Sequence, residues 1–317
     1  MTDHLMPTPE LLLAGLHFPE GPRWRTPNSL PAGAADYCPT PGQLWFSDML
    51  AHQVMTVDVC GNATVVAEVP EIPSGLGWWP DGRLVVISVQ DGKLMAVCDG
   101  DIEEVADMKS VNGNMCNDMV VDAHGRCWIG SPAFDRPFTE TKIPGPGNLP
   151  TFGDLVRVDP PDIDGHCTVT VVADRTNTAN GACISIDGKT LIFAESFGFR
   201  LTAFDIEEDG SLSNRRPWAD LGAPPDGICM DEEGCVWVAV PYFDYGGPGG
   251  YVRLTEGGEL KQRIDSGDGY SAYACTLGGP EMRTLFMCES AVLGLDRHPG
   301  DGRIRTVEVD VPGTGSP

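Results

Sequence analysis

The chain has 317 residues, 41% of them hydrophobic, and carries 21 basic against 46 acidic side chains for a formal charge of −25. Such a surface repels phosphate backbones and anionic lipid, so nucleic acid and membranes are excluded as expected partners, and no apolar run approaches the roughly 20 residues of a spanning helix. The length exceeds an ordinary single core, yet a toroidal all-β fold absorbs it without splitting into domains.

In chain order, the opening MTDHLMPTPELLLAGLHF has no basic region ahead of its short apolar patch. It does not read as a signal peptide, and cytoplasmic location is the expectation. The segment HFPEGPRW then places Glu20 directly before a glycine, and QLWFSD (43–48) reads as the second strand of a hairpin whose enlarged turn is residues 25–42. SGLGWWPDGRLVV (74–86) and NDMVVDAHGRCWI (117–129) are two copies of one unit, an apolar run, an Asp/Gly turn and a second apolar run, which is the grammar of a β-hairpin. Residues 131–154 follow, rich in Pro and Gly and carrying Phe134; they cannot continue a strand and form a loop at one mouth of the fold, where they could close over a ligand. NGACISIDGKTLI (180–192) and DGICMDEEGCVWV (226–238) repeat the unit twice more, and RTLFMCES (283–290) matches KTLIFAES (189–196) almost residue for residue.

The repeat has a fixed register. Ser74, Asn117, Asn180 and Asp226 each stand eight residues before a turn glycine (Gly82, Gly125, Gly188, Gly234), and three residues after that glycine come Val85, Trp128, Leu191 and Trp237. With the two weaker units at either end this predicts an all-β, six-bladed β-propeller in a single domain, with blades at 15–70, 71–110, 111–175, 176–222, 223–266 and 267–313, the N-terminal segment being available to complete the last of them. The eleven cysteines are scattered, with no C-x-x-C and no Cys/His cluster of zinc spacing, and read as reduced core residues.

In a propeller, equivalent positions of the innermost strands point toward one axis. The register therefore brings Glu20, Asn117, Asn180 and Asp226 together, with Ser74 and a residue near Ala274 in the other two places. One such residue would be read as a turn cap; four in register are two carboxylates and two amides around one point. Buried like charges need compensation, and an all-oxygen donor set suits Ca²⁺ before Zn²⁺, Mn²⁺ or Mg²⁺. His17, three residues before Glu20, is a candidate channel base. G-x-S-x-G, H-E-x-x-H and Walker A patterns are absent from the sequence.

These segments, F-P-E-G-P (18–22), N-D-M-V-V-D-A-x-G-R (117–126), A-N-G (179–181) and P-D-G-I (225–228), resemble the gluconolactonase/regucalcin (senescence marker protein) family of six-bladed propellers, with squid-type diisopropylfluorophosphatase as a more distant relative. The resemblance implies a metal-dependent hydrolase of lactones, with Glu20, Asn180 and Asp226 as metal ligands and Asn117 coordinating directly or through a water. Asp226 would be the general base or nucleophile, and Asn180 and Asn117 would position substrate oxygens. Sugar-lactone members carry an arginine two residues before the asparagine of the N-D motif, and this chain has Met115 there. A thioether cannot replace a five-donor guanidinium, so the expected substrate is a small lactone or ester less polar than a sugar lactone, with Phe134 and Tyr242 among the aromatics that would line its pocket. Phosphotriester hydrolysis by the same ring, and a metal-stabilised propeller that binds a ligand or serves a biosynthetic reaction, remain the alternatives. The sequence leaves the oligomeric state open.

Overall fold

The computed structural model describes residues 8–26, 41–98, 100–133, 151–241, 249–267, 269–291 and 298–315. Twenty-four strands form six four-stranded antiparallel sheets. Strand β1 (Glu10–Leu16) is followed by the first blade, β2 (Pro19–Arg25), β3 (Gln43–Asp48), β4 (Gln53–Asp58) and β5 (Ala63–Glu68). The second blade is β6 (Pro73–Trp78), β7 (Leu84–Ser88), β8 (Lys93–Cys98) and β9 (Asp101–Asp107). The third is β10 (Met119–Val121), β11 (Cys127–Ala133), β12 (Thr151–Val158) and β13 (Val169–Thr176), preceded by the single-turn helix α1 (Lys109–Asn112). The fourth is β14 (Ala179–Ile184), β15 (Thr190–Glu195), β16 (Arg200–Ile206) and β17 (Leu212–Asp220), and the fifth β18 (Ile228–Met230), β19 (Val236–Val240), β20 (Gly250–Leu254) and β21 (Leu260–Ile264). The last sheet takes β22 (Tyr270–Gly278), β23 (Thr284–Ala291) and β24 (Gly302–Glu308), and its fourth strand is β1 from the other end of the chain. The ring is thus closed by backbone hydrogen bonds between the two ends of the chain. Among the described residues no helix is long and apolar enough to cross a membrane.

Each turn glycine of the repeat has a positive φ, 91° at Gly82, 81° at Gly125, 71° at Gly188 and 75° at Gly234, and each donates its N–H back across the turn. These turns fix the hairpin register, and so the height of the residue eight positions earlier. The innermost strands β2, β6, β10, β14, β18 and β22 contact one another in sequence around the ring, and β22 contacts β2.

The hydrophobic core is divided among the wedges between blades. Trp128, Leu155, Phe193 and Leu191 fill the space between the third and fourth sheets, and Leu44, Phe46, Phe286 and Cys288 that between the first and sixth. Two such faces pack against each other because alternate residues of each strand are apolar, which leaves the axis itself to other side chains. The inner strands come close enough there to demand glycine. A Cβ on Gly181 would lie 2.6 Å from the Asp226 carbonyl oxygen, and one on Gly227 2.6 Å from the Ala274 Cα. Cysteines among the described residues are all free, most of them buried.

Candidate metal-binding ring at the channel axis

Four of the inner strands carry a bulge at the same place. The pairing register shifts between Glu20 and Arg23, between Pro73 and Leu76, between Ala179 and Ala182, and between Ala272 and Ala274. A bulge re-aims the side chain next to it, and in the first, second and fourth blades that side chain belongs to the repeat position read from the sequence. The six occupants are Glu20, Ser74, Asn117, Asn180, Asp226 and Tyr273. The last differs from the sequence expectation by one residue: Ala272 pairs with Glu289 as Ala179 pairs with Glu195, and the Tyr273 carbonyl accepts the Gly227 N–H as the Asn117 carbonyl accepts that of Gly75. Ala274 therefore takes the place of the following glycine.

A chain of hydrogen bonds links three ring positions to one another and to the backbone beside a fourth. Ser74 Oγ donates to Asn117 Oδ1 (3.2 Å), Asn117 Nδ2 to Asn180 Oδ1 (2.9 Å), and Asn180 Nδ2 to Ser196 Oγ (3.2 Å). Ser196 Oγ in turn donates to the Pro225 carbonyl (2.8 Å), one residue before Asp226. Glu20 and Asp226 are 8% and 9% exposed. Burial above all, then the charges of Asp226 and Asp118, push the Glu20 carboxyl well above the usual carboxylate range, against the Gly21 N–H and Arg23. Burial and then Asp118 do the same to Asp226, against the Asn180 side chain and the Gly227 N–H.

Asp118 and Arg23 were not among the residues picked out by register. Arg23 Nη2 lies 3.3 Å from Asp118 Oδ1 and also donates to the Met119 carbonyl, while Asp118 Oδ1 accepts the Met119 N–H (2.8 Å). Both side chains are buried. The available signal was a break in the pattern: Gly21, Gly75, Gly181 and Gly227 follow their ring residues, and only the third and sixth blades depart, with Asp118 and Ala274. Three carboxylates, Glu20, Asp118 and Asp226, thus lie close enough to act on one another, and Arg23, paired with Asp118, offsets one of them, leaving two negative charges when all are ionised. Asp226 Oδ1 is buried with no hydrogen-bond partner among the described residues. An unsatisfied buried carboxylate oxygen is costly. Among the described residues no group of three His, Cys, Asp or Glu side chains is spaced to hold a metal; the donors here are two carboxylates and two amides, and with their surplus of two charges and an orphaned oxygen they fit a hard divalent cation.

The other expected site residues are distributed as follows. Met115 is 6% exposed, two residues before Asn117, and its carbonyl accepts Ser131 Oγ (2.7 Å). The His17 backbone is fixed, with its N–H toward Asp48 and its carbonyl accepting Ser290 Oγ (3.1 Å). Phe134 and Tyr242 lie outside the described residues. Tyr273 packs on Phe18, ring centroids 4.6 Å apart, and donates its hydroxyl to the Ala291 carbonyl (3.0 Å).

Beside the ring stands Glu195, fully buried. Burial alone would raise its carboxyl, but hydrogen bonds from Thr202 and Asn177 and the charges of Arg200 and Arg215 outweigh burial and hold it below the usual range. A depressed carboxylate stabilises the fold above its unfolded value and loses that contribution as pH falls through its folded value. Glu195→Gln is therefore expected to melt below wild type at neutral pH, with the gap closing as pH falls below the usual carboxylate range. Melts across that range check it, and a gap that stays constant would contradict the assignment.

The fold and its family are shared with known proteins. The chain matches the SMP-30/Gluconolactonase/LRE-like region over residues 18–291. It is 34% identical over 145 residues to the regucalcin of Xenopus laevis, a match covering 41% of this chain and 45% of that protein, so that about half the length of this curated relative is matched. Among solved structures it shares the fold of a Xanthomonas campestris gluconolactonase (TM-score 0.69, 22% identity, 94% of this chain and 88% of that one). It shares it also with a calcium-binding regucalcin of Agrobacterium tumefaciens (TM-score 0.73, 21% identity, 97% and 95%). A six-bladed propeller whose family match spans the chain from Phe18, just ahead of Glu20, to the end of β23 belongs to the SMP-30/gluconolactonase/LRE-like family.

Proposed function

We propose that the protein is a lactone hydrolase that works with one divalent cation, Ca²⁺ in the first place, held on the axis by Glu20, Asn117, Asn180 and Asp226. The observation that carries this reading is the buried, unpartnered Asp226 Oδ1 in a ring with surplus negative charge. The relatives point the same way, one being described as a gluconolactonase and another as a calcium-binding protein. When bound, the cation supplies Lewis-acid polarisation of the carbonyl oxygen.

The chain's own groups do the rest. Asp226 takes a proton from the attacking water as its oxygen bonds to the carbonyl carbon, then returns that proton to the ring oxygen as the C–O bond breaks, and the product leaves as a hydroxy acid. The amides of Asn117 and Asn180, fixed to each other at 2.9 Å, orient the substrate oxygens. Ser196, seated between Asn180 and the Pro225 carbonyl, ties the orientation of that amide to the backbone leading into Asp226.

The substrate is a lactone or ester less polar than a sugar lactone. Met115 and three of its counterparts two residues before the ring, Phe18, Ile72 and Pro224, are buried and apolar, while the other two, Thr178 and Ser271, are small buried hydroxyl residues. Alkyl-substituted lactones are expected to exceed gluconolactone in kcat/KM by about tenfold or more, the scale on which apolar pockets discriminate. Met115→Arg should narrow that ratio. A panel of both lactone classes and aryl phosphotriesters, assayed with and without EDTA, tests the reading; equal rates in EDTA would reject it, and preference for phosphotriesters would reject the substrate class.

A further inference from the structure

Asp48, Glu195 and Glu289 occupy one repeat position. Each is paired across the hairpin with the residue immediately before the ring: Asp48 with Pro19, Glu195 with Ala179, and Glu289 with Ala272. All three are buried. The equivalent places in the other blades hold Ser88, Ser131 and Val240, so the carboxylate is a feature of three blades and not of the fold.

Their partners divide them. Asp48 Oδ1 accepts the Phe18 N–H (2.7 Å), and both its oxygens lie at hydrogen-bond distance from the His17 N–H (3.1 and 3.0 Å). Glu195 Oε2 accepts the Asn177 N–H and its Nδ2, each at 3.0 Å, while Oε1 takes Thr202 and the two arginines. His17 and Asn177 each stand three residues before a ring oxygen donor, Glu20 and Asn180. Glu289 is instead gripped by Arg303 (2.6 Å) and Arg305 (2.6 and 2.9 Å), and the ring position beside it is Tyr273, whose hydroxyl is used elsewhere.

The backbone that Glu195 holds is strained. Arg175 and Thr178, on either side of Asn177, have φ of 55° and 60°, a region that a β-branched residue occupies only where its surroundings enforce it. Released from Glu195, this segment would relax, and Asn180 two residues later would lose its height on the axis.

We propose that Asp48 and Glu195 are positioning residues for the ring. By fixing the peptide three residues upstream they set where the Glu20 and Asn180 oxygens meet, whereas Glu289 serves the stability of its blade alone. The inference rests on the metal reading above.

The test uses the full chain with Asp48→Asn, Glu195→Gln and the matched control Glu289→Gln. Calcium affinity is measured by calorimetry, and Tb³⁺ luminescence lifetimes count the waters on the ion. All three variants are expected to lower the melting temperature in EDTA. Asp48→Asn and Glu195→Gln should weaken calcium binding by about tenfold or more, as the loss of groups that orient metal ligands does, and add water to bound Tb³⁺; Glu289→Gln should bind as wild type does. Should Glu195→Gln not fold, Asn177→Ala removes one of its two bonds to that segment and should give a smaller loss of affinity with the same gain of water. Wild-type affinity in Asp48→Asn or in the position-195 and position-177 variants, or an equal loss in Glu289→Gln, overturns the inference while leaving the metal reading in place. A wild-type chain that binds neither ion overturns both.

Discussion

Asp226→Asn is expected to slow lactone opening by orders of magnitude and, in the same preparation, to make the EDTA-treated protein more stable than wild type. The two effects have one origin. In the metal-free ring the Asp226 and Glu20 carboxyls are raised by burial and by nearby negative charge. Such groups favour the fold while protonated, and that contribution is lost as pH rises through their folded values, so at neutral pH each is a cost. An amide of the same shape carries no charge and removes it. Replacing a buried, poorly compensated charge with a neutral group of similar volume removes its desolvation cost. Among the described residues Arg23, paired with Asp118, is the guanidinium that offsets these carboxylates. Turnover should fall by about 10²–10⁴, the range for loss of a general base. Glu20→Gln should share the stability gain. Melting curves in EDTA beside a lactone assay with saturating calcium decide the matter. If both amide variants melt below wild type without metal, the ring is an ordinary structural network and the functional reading falls with it.

The propeller and most of its ring were legible in the sequence because both follow from short-range rules. An Asp/Gly turn fixes the register of a hairpin, and eight residues before the glycine the chain is always at the same height on the axis. That arithmetic found Asn117, Asn180 and Asp226 directly and Glu20 by extension. It missed by one in the sixth blade, where the bulge between Ala272 and Ala274 moves Tyr273 to the axis and where the sequence before β23 has no Asp/Gly turn to count from. Long-range pairs were not legible at all. Arg23 and Asp118 are 95 positions apart and meet only because the first, second and third inner strands converge; the written trace was an aspartate in a place that four other blades give to glycine. Asp48 and Glu195 were hidden for another reason. They end strand-like runs, QLWFSD and TLIFAE, where an acidic residue reads as the solvated start of a turn. Their burial depends on peptide N–H groups of the preceding inner strand, which no pattern of side chains records.

Calcium added to the EDTA-treated protein should raise its melting temperature, and the rise should vanish in Glu20→Gln. At free calcium a thousandfold above the dissociation constant, binding to the folded state alone stabilises by about 4 kcal/mol. At about 2 °C per kcal/mol, the lower end for large domains, that is a shift on the order of 8 °C. A control is essential because the chain carries −25, and any divalent cation will relieve some of that self-repulsion at the surface. Glu20→Gln alters that total by a single charge, so a surface effect would persist in it nearly undiminished, whereas a ring effect would not. Magnesium gives a second separation. It demands tight octahedral geometry and sheds water reluctantly, while calcium accepts six to eight oxygens in looser arrangements. The donors here come from four different blades and are fixed by backbone register, with little freedom to contract, so calcium should give the larger shift at equal concentration. Equal shifts for calcium and magnesium that survive in Glu20→Gln would place the ions on the acidic surface and remove the ring from the account.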